Sequence, residues 1–157
     1  MFVSSYALRQ VMIQMITNSN SNWKFCEFIP RQSSPKWDLY DGLLILVLSA
    51  VHFSVLGIKK QQDTQQFIYV HLCNEGRQLP ILYRGDLRNM GASNITPRHG
   101  IHNTDGNKCG YYVLWFSKML IAFGTDIVNL DSYFIRNYFL EFDDETMDEL
   151  NRWVTNL

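Results

Sequence analysis

The sequence predicts an α+β fold in which a central mixed β-sheet is flanked by helices. Three observations lead to this prediction: an amphipathic helical segment opens the chain, strand-like apolar runs follow, and helical segments return after a long glycine-rich stretch. At 157 residues the chain has the length of one domain. We therefore expect a single domain over residues 1–157.

The first two elements are an amphipathic helix and an edge strand. The segment SYALRQVMIQMI repeats apolar residues at helical spacing, and the turn-forming TNSNSN ends the repeat. These apolar residues are Leu8, Val11, Met12, Met15 and Ile16. The following segment NWKFCEFI alternates and stops at Pro30, as expected for a strand at the edge of a sheet.

The most apolar run, GLLILVLSAVHFSVLGI at residues 42–58, predicts two adjacent buried strands. A membrane span is not expected, because the run is at the short limit of length and carries His52 near its centre. FIYVHL predicts a further strand. The polar KKQQDTQQ at residues 59–66 separates it from the preceding strand, so we expect these residues to form the tip of a hairpin.

The rest of the chain divides into a loop region and three helices. Glycine and proline punctuate residues 73–107, which predicts loops. After Cys109 the run GYYVLWFSKMLIAFG predicts a helix that ends at Gly124. DIVNLDSYFIRNYFLEF and DDETMDELNRWVTNL predict two more helices, the last with acidic residues near its N-terminus.

Composition excludes several classes of protein. The chain is 46% hydrophobic and 18% charged, which is too apolar for a disordered chain, and its net charge of −1 provides no positive field for nucleic acid. Three widely spaced cysteines without a CxxC motif fit neither a disulfide framework nor a zinc site. With no signal-peptide pattern at the N-terminus, we expect an intracellular, reducing compartment.

Cys109 is the first residue of interest for chemistry, because it joins the polar loop NTDGNK to the apolar helical run. At a helix N-terminus the macrodipole and the free backbone N–H groups favour a thiolate over a thiol. The same N–H groups can stabilise an oxyanion. A buried structural cysteine is the alternative interpretation.

A thiolate nucleophile needs a histidine base, a residue that orients the base, and a donor for the oxyanion. All four histidines, at positions 52, 71, 99 and 102, precede Cys109. The histidine must therefore come first in the chain, which excludes the papain-like and ovarian-tumour-type orders.

The segments VHFSVLGI, FIYVHLCNEG and HNTDGNKCGYYVLWF resemble, in this order, the motifs of clan CE cysteine peptidases. Clan CE comprises the adenovirus-type endopeptidases and the SUMO-specific proteases, and the resemblance covers about residues 43–121. It implies a papain-like or adenain-like core with His52 as base and Cys109 as nucleophile. Phe53 takes the place of the family's tryptophan at the substrate gate. Asn103 replaces the usual glutamine and would complete the oxyanion hole with the Cys109 amide.

The residue that orients His52 stays open between Asn74 and Glu75. Matching the strand end to the family pattern puts the acidic position on His71, which has no carboxylate. Asn74 and Glu75 lie three and four residues further on, and either reaches His52 if the strand end bends or bulges.

By resemblance, the substrate is a protein that is cut after a small residue such as glycine, through a Cys109 thioester and without a cofactor. A viral structural precursor and a ubiquitin-like protein are both suitable substrates, the latter for an isopeptidase. The compact viral and virus-like-transposon proteases are the most similar members, which would place the protein in the host cytoplasm or nucleus, or in the virion. No activating peptide or nucleic acid is identified by the sequence.

Two other interpretations compete with a peptidase. The uncertain orienting residue and the change from glutamine to Asn103 are also consistent with a catalytically inactive interaction module that keeps the protease fold. A metal site built from His71, Cys73, His99 and His102 has suitable ligand chemistry, but the spacing matches no recognised pattern. We therefore expect no metal.

Overall fold

The secondary structure comes from a computed structural model, which describes residues 4–31, 39–96, 108–123 and 144–156. Side chains at 146, 153 and 154 lie outside this description. The described helices are α1 (Ser5–Asn18), α2 (Ile81–Asn89), α3 (Cys109–Phe123) and α4 (Asp144–Thr155). The described strands are β1 (Trp23–Cys26), β2 (Gly42–Ser49), β3 (His52–Lys60), β4 (Phe67–Leu72) and β5 (Ser93–Asn94).

The five strands form one sheet in the order β1-β2-β3-β4-β5. β2, β3 and β4 are antiparallel neighbours, whereas β1 is parallel to β2 and β5 is parallel to β4. The sheet is therefore mixed, as predicted, and β1 lies at its edge.

Helices cover both faces of the sheet, which explains why β2 is buried at six successive positions. On one side, the α3 face, strand residues such as Leu44, Leu46 and Val55 pack with side chains from α1, α3 and α4. On the other side, the α2 face, Leu56 and Ile58 pack with Leu87 and other apolar residues around α2. Successive residues of a strand alternate between these two faces.

The hairpin tip between β3 and β4 is shorter than predicted. Lys59 and Lys60 belong to β3, and Lys59 is buried. The chain reverses over residues 61–66, where the amide of Gln61 donates to the carbonyl of Gln66 at 2.8 Å. The sequence pattern ends the strand too early here, because a lysine can pack its aliphatic chain in the strand while its charged group reaches water.

The prediction of loops between residues 73 and 107 is wrong for α2 and β5. Pro80 directly precedes α2, where its missing N–H has no cost, and Gly85 lies in the middle of the helix. Proline and glycine therefore punctuate a helix here instead of a loop. α4 begins with Asp144 and Glu145 as predicted, while the helix predicted over residues 126–142 and the cap at Gly124 lie outside the described residues.

No helix within the described ranges is long and apolar enough to cross a bilayer.

Two glycine-to-alanine substitutions should change stability in opposite directions. A Cβ on Gly42 would lie 2.9 Å from the carbonyl oxygen of Ile58 and 2.8 Å from the Trp23 ring. Because the backbone oxygen of a paired strand cannot move away, Gly42→Ala should lower the free energy of unfolding by about 1–3 kcal/mol.

Gly85→Ala is the matched control, because a Cβ there meets nothing within 4 Å. It should raise the free energy of unfolding by roughly 0.8–1.0 kcal/mol, the difference in helix propensity. Urea unfolding measures both values. A Gly42→Ala variant as stable as the wild type would contradict the close contact between β1, β2 and β3.

Candidate active site

His52 is fixed at one end of the sheet by a two-residue reversal between β2 and β3. Ala50 and Val51 form the reversal, with φ values of 48° and 61°, and Ser49 pairs with His52 across it. Positive φ at both positions matches the twist of the two strands. It also strains a β-branched residue such as Val51 by about 1–3 kcal/mol. The reversal therefore sets the register that begins β3 at His52.

The residues that meet His52 come from the turn after β4. In this turn the amide of Gly76, with φ of 67°, donates to the carbonyl of Cys73 at 3.1 Å. The pairing of β3 with β4 ends at Val55 opposite Leu72. Continuing this register places Glu75 opposite His52, and Cys73 two residues earlier shares the same face of the sheet.

A thiol, an imidazole and a carboxylate meet at this point. His52 Nε2 lies 3.2 Å from Cys73 Sγ, and His52 Nδ1 lies 3.7 Å from Glu75 Oε2. The His52 ring is only 5% exposed, whereas Cys73 and Glu75 are half-buried. We call these three residues the Cys73–His52–Glu75 cluster. One ring nitrogen faces a thiol and the other a carboxylate, which is the arrangement of a base and its orienting acid.

Burial lowers the pKa of His52 below its ordinary value of 6.5. The Glu75 carboxylate raises this pKa, and the Arg77 guanidinium lowers it. Arg77 Nε also donates to Glu75 Oε2 at 2.6 Å, so the same carboxylate oxygen faces both the Arg77 guanidinium and the His52 ring. At pH 7 the imidazole is mainly neutral and is able to accept a proton.

A second histidine lies beside the cluster on the same face. His71 Nε2 is 2.8 Å from Ser54 Oγ, and burial lowers the pKa of His71 to about 4, with a smaller contribution from the charge of His52. His71 therefore stays neutral at pH 7. It occupies the position where the family pattern has its acid.

Cys109 begins α3, as the sequence predicts. Cys109 is 7% exposed, and α3 packs on the face that Phe53 also contacts. Because neighbouring residues of β3 point to opposite faces, His52 lies on the α2 face. Within the described ranges, no hydrogen bond joins the Cys109 sulfur to His52; the sulfur beside Nε2 belongs to Cys73.

The other predicted site residues have different outcomes. Two residues were left open as partners of His52. Of these, Glu75 brings its carboxylate to the His52 ring. Asn74, which precedes Glu75 in the turn, is fully buried. Phe53 is half-buried against the α3 side of the core. Asn103, His99 and His102 lie outside the described residues.

The contact of Cys73 with His52 was missed in the sequence. The signal that would have found it is the two-residue spacing of Cys73 and Glu75 in VHLCNEG, since residues at this spacing share a face when the strand continues.

Comparisons with known proteins were made by family profile, by sequence and by structure. No protein-family profile matches the sequence, and no curated protein matches it. The fold is similar to that of a de-sumoylating protease, with a TM-score of 0.60 and 10% identity over 95% of this chain and 74% of that one. It is also similar to a mutant of XopD from Xanthomonas, with a TM-score of 0.61 and 11% identity over 96% of both chains. The chain therefore shares the fold of these two proteins, which confirms the α+β class and agrees, at the level of the fold, with the resemblance inferred from the sequence.

Substitutions at Glu75 and Arg77 should shift the pKa of His52 in opposite directions. Glu75→Gln removes the attraction of the carboxylate and should lower this pKa further, while Arg77→Gln removes a repulsion and should raise it. An NMR titration of the His52 ring protons measures both shifts. Shifts of the same sign in both variants would contradict the charge arrangement described above.

Acidification should destabilise the fold through His71. The pKa of His71 is about 4 in the folded state and 6.5 as an ordinary value, so the unfolded chain binds more protons between these pH values. The contribution of His71 to the free energy of unfolding is complete above about pH 6.5. It is lost as the pH falls towards 4, by roughly 3 kcal/mol in all.

His71→Gln keeps a hydrogen-bonding side chain beside Ser54, but glutamine does not titrate. The difference in free energy of unfolding between wild type and His71→Gln should therefore shrink from pH 7 to pH 5 in urea unfolding experiments. This difference isolates His71 from His52, whose pKa is also lowered. A difference that does not change with pH would show that His71 is not buried as described.

Proposed function

We propose that this protein is a cysteine endopeptidase that hydrolyses a protein substrate after a small residue, glycine above all. The observation that carries the proposal is the contact between His52 and Glu75 at the start of β3, in a fold shared with proteases. A neutral imidazole with a carboxylate on its second nitrogen has the properties of a general base.

Cys109 is the proposed nucleophile, supported by its position as first residue of the helix packed on the sheet. His52 accepts the proton of the attacking thiol and returns it to the leaving amine, while Glu75 orients the imidazole. The Cys109 amide and Asn103 are the proposed oxyanion donors, and Phe53 is the proposed substrate gate. Catalysis by this route requires the Cys109 thiol to meet Nε2 when substrate binds, in place of Cys73.

The proposed substrate is a ubiquitin-like protein with a glycine at the cleavage site or a viral precursor with a similar site. The de-sumoylating protease with the same fold supports the first of these, as its name gives a ubiquitin-like substrate. Cleavage of a ubiquitin-like protein from a lysine side chain would make the enzyme an isopeptidase.

A second function, a non-catalytic interaction module, is favoured by one specific observation. His52 Nε2 already contacts Cys73, and His52 lies on the sheet face opposite α3. A chain that kept this arrangement with substrate bound would recognise a ubiquitin-like protein without cleaving it.

A covalent probe distinguishes the two functions. SUMO with an electrophilic group at its C-terminal Gly-Gly should label Cys109 of the wild type, as located by peptide mass spectrometry. Cys109→Ser should abolish the adduct, and His52→Gln should slow its formation by about 10²–10⁴-fold. Cys26→Ser is the matched control and should label at the wild-type rate.

Two outcomes would contradict the peptidase. An adduct on Cys109 whose rate is unchanged in His52→Gln would remove His52 as the base. Tight binding of SUMO by the folded protein without any adduct or cleavage would favour the interaction module.

A further inference from the structure

We infer that Cys73 is a reactive thiol, activated by His52 and Glu75, that exchanges with low-molecular-weight disulfides to form a mixed disulfide. The inference goes beyond the proposed peptidase and does not depend on it. It rests on the distances of 3.2 Å from Cys73 Sγ to His52 Nε2 and 3.7 Å from His52 Nδ1 to Glu75 Oε2. A cysteine reacts as the thiolate, and a neighbouring histidine is one of the groups that generates it.

Accessibility separates Cys73 from the cysteine that the sequence singles out. Cys73 is half-buried, so part of the residue meets solvent, whereas Cys109 is 93% covered. A dissolved disulfide must approach the sulfur along the axis of its own S–S bond, which a buried thiol does not permit. Among the described residues, Cys73 is therefore the cysteine that combines exposure with a base.

The turn after β4 holds both partners of the imidazole. Cys73 and Glu75 are two residues apart and lie on the same face, and the Gly76 amide closes the turn on the Cys73 carbonyl. The thiol and the carboxylate are thereby fixed on opposite nitrogens of one ring. The buried ring has little freedom to turn away, so the proton acceptor stays beside the sulfur.

The geometry places His52 Nε2 where it can accept the proton of the Cys73 thiol. When His52 accepts it, the imidazolium lies between the new thiolate and the Glu75 carboxylate. Among the described residues, Arg77 is bonded to Glu75 and lowers the pKa of His52, while His71, whose pKa is about 4, stays neutral. The imidazolium thus lies between two anions, while burial and the charge of Arg77 oppose its formation.

The exchange balances without a further oxidant. The proton moves from Cys73 Sγ to His52 Nε2, and the thiolate attacks one sulfur of the disulfide. The S–S bond of the reagent breaks as the new S–S bond to Cys73 forms, and the departing thiolate takes the proton from His52. The products are one mixed disulfide and one free thiol.

Cys26 provides a matched control within the same chain. It is half-buried like Cys73, but it lies on β1, and burial raises the pKa of its thiol with only partial compensation from Lys24. Because burial itself slows Cys26, the histidine is reported by the fall in the Cys73 rate in His52→Gln, measured against an unchanged Cys26.

The experiment is reaction of the whole protein with oxidised glutathione at pH 7, followed by peptide mass spectrometry at each cysteine over time. Cys73 should form the mixed disulfide about tenfold faster than Cys26, and Cys109 should react slowest. His52→Gln should reduce the rate at Cys73 to that of Cys26 while leaving Cys26 unchanged. Glu75→Gln should give an intermediate rate at Cys73.

Equal rates at Cys73 and Cys26 in the wild type would overturn the inference, and this comparison needs no variant to fold. An unchanged Cys73 rate in a folded His52→Gln protein would also overturn it. Neither result bears on the SUMO-probe experiment, which reports an adduct on Cys109, so the inference and the proposed peptidase fail separately.

Discussion

The register of β3 determines which side chains meet at the functional end of the sheet. Ser49 pairs with His52 across a reversal of only two residues, and Val55 pairs with Leu72 on the other side. A slip of one residue would move His52 to the α3 face and Phe53 to the α2 face, since side chains alternate with a period of two. The strained positive φ at Val51 is tolerated because seven β2–β3 residue pairs hold this register.

The sequence was sufficient for the parts of the fold that depend on continuous apolar runs. β2 and the middle of β3 are buried on both faces and mainly apolar, so these strands are recognisable without alternation, although β3 also contains His52, Ser54, Lys59 and Lys60. α2 was missed because Gly85 has open space around it, so the helix tolerates a residue that normally indicates a loop. β5 has two residues and depends on its pairing with β4, which no local pattern contains.

The site was only partly predictable, for a related reason. His52 and Glu75 were both singled out in the sequence, whereas the contact of His52 with Cys73 was not, because a linear pattern does not say on which face each residue lies. The facing side chains follow from the paired register, in which Glu75 falls opposite His52 and Cys73 joins it by alternation. Asn74, which lies between them in sequence, is turned into the protein interior.

Only one thiol can use the base at a time, because Nε2 of a neutral imidazole has a single lone pair. In this structure it faces Cys73, while Nδ1 is held towards Glu75, so the ring cannot serve a second thiol without breaking the first contact. Breaking it leaves a ring that is 95% covered and must regain a partner for its polar nitrogen, at a cost of about 1–3 kcal/mol. Binding of a protein substrate offers enough contact energy to offset a cost of this size. For the proposed peptidase, the contact between Cys73 and His52 would therefore set a threshold: a weakly bound substrate would leave His52 on Cys73, and a tightly bound one would have the energy to release it.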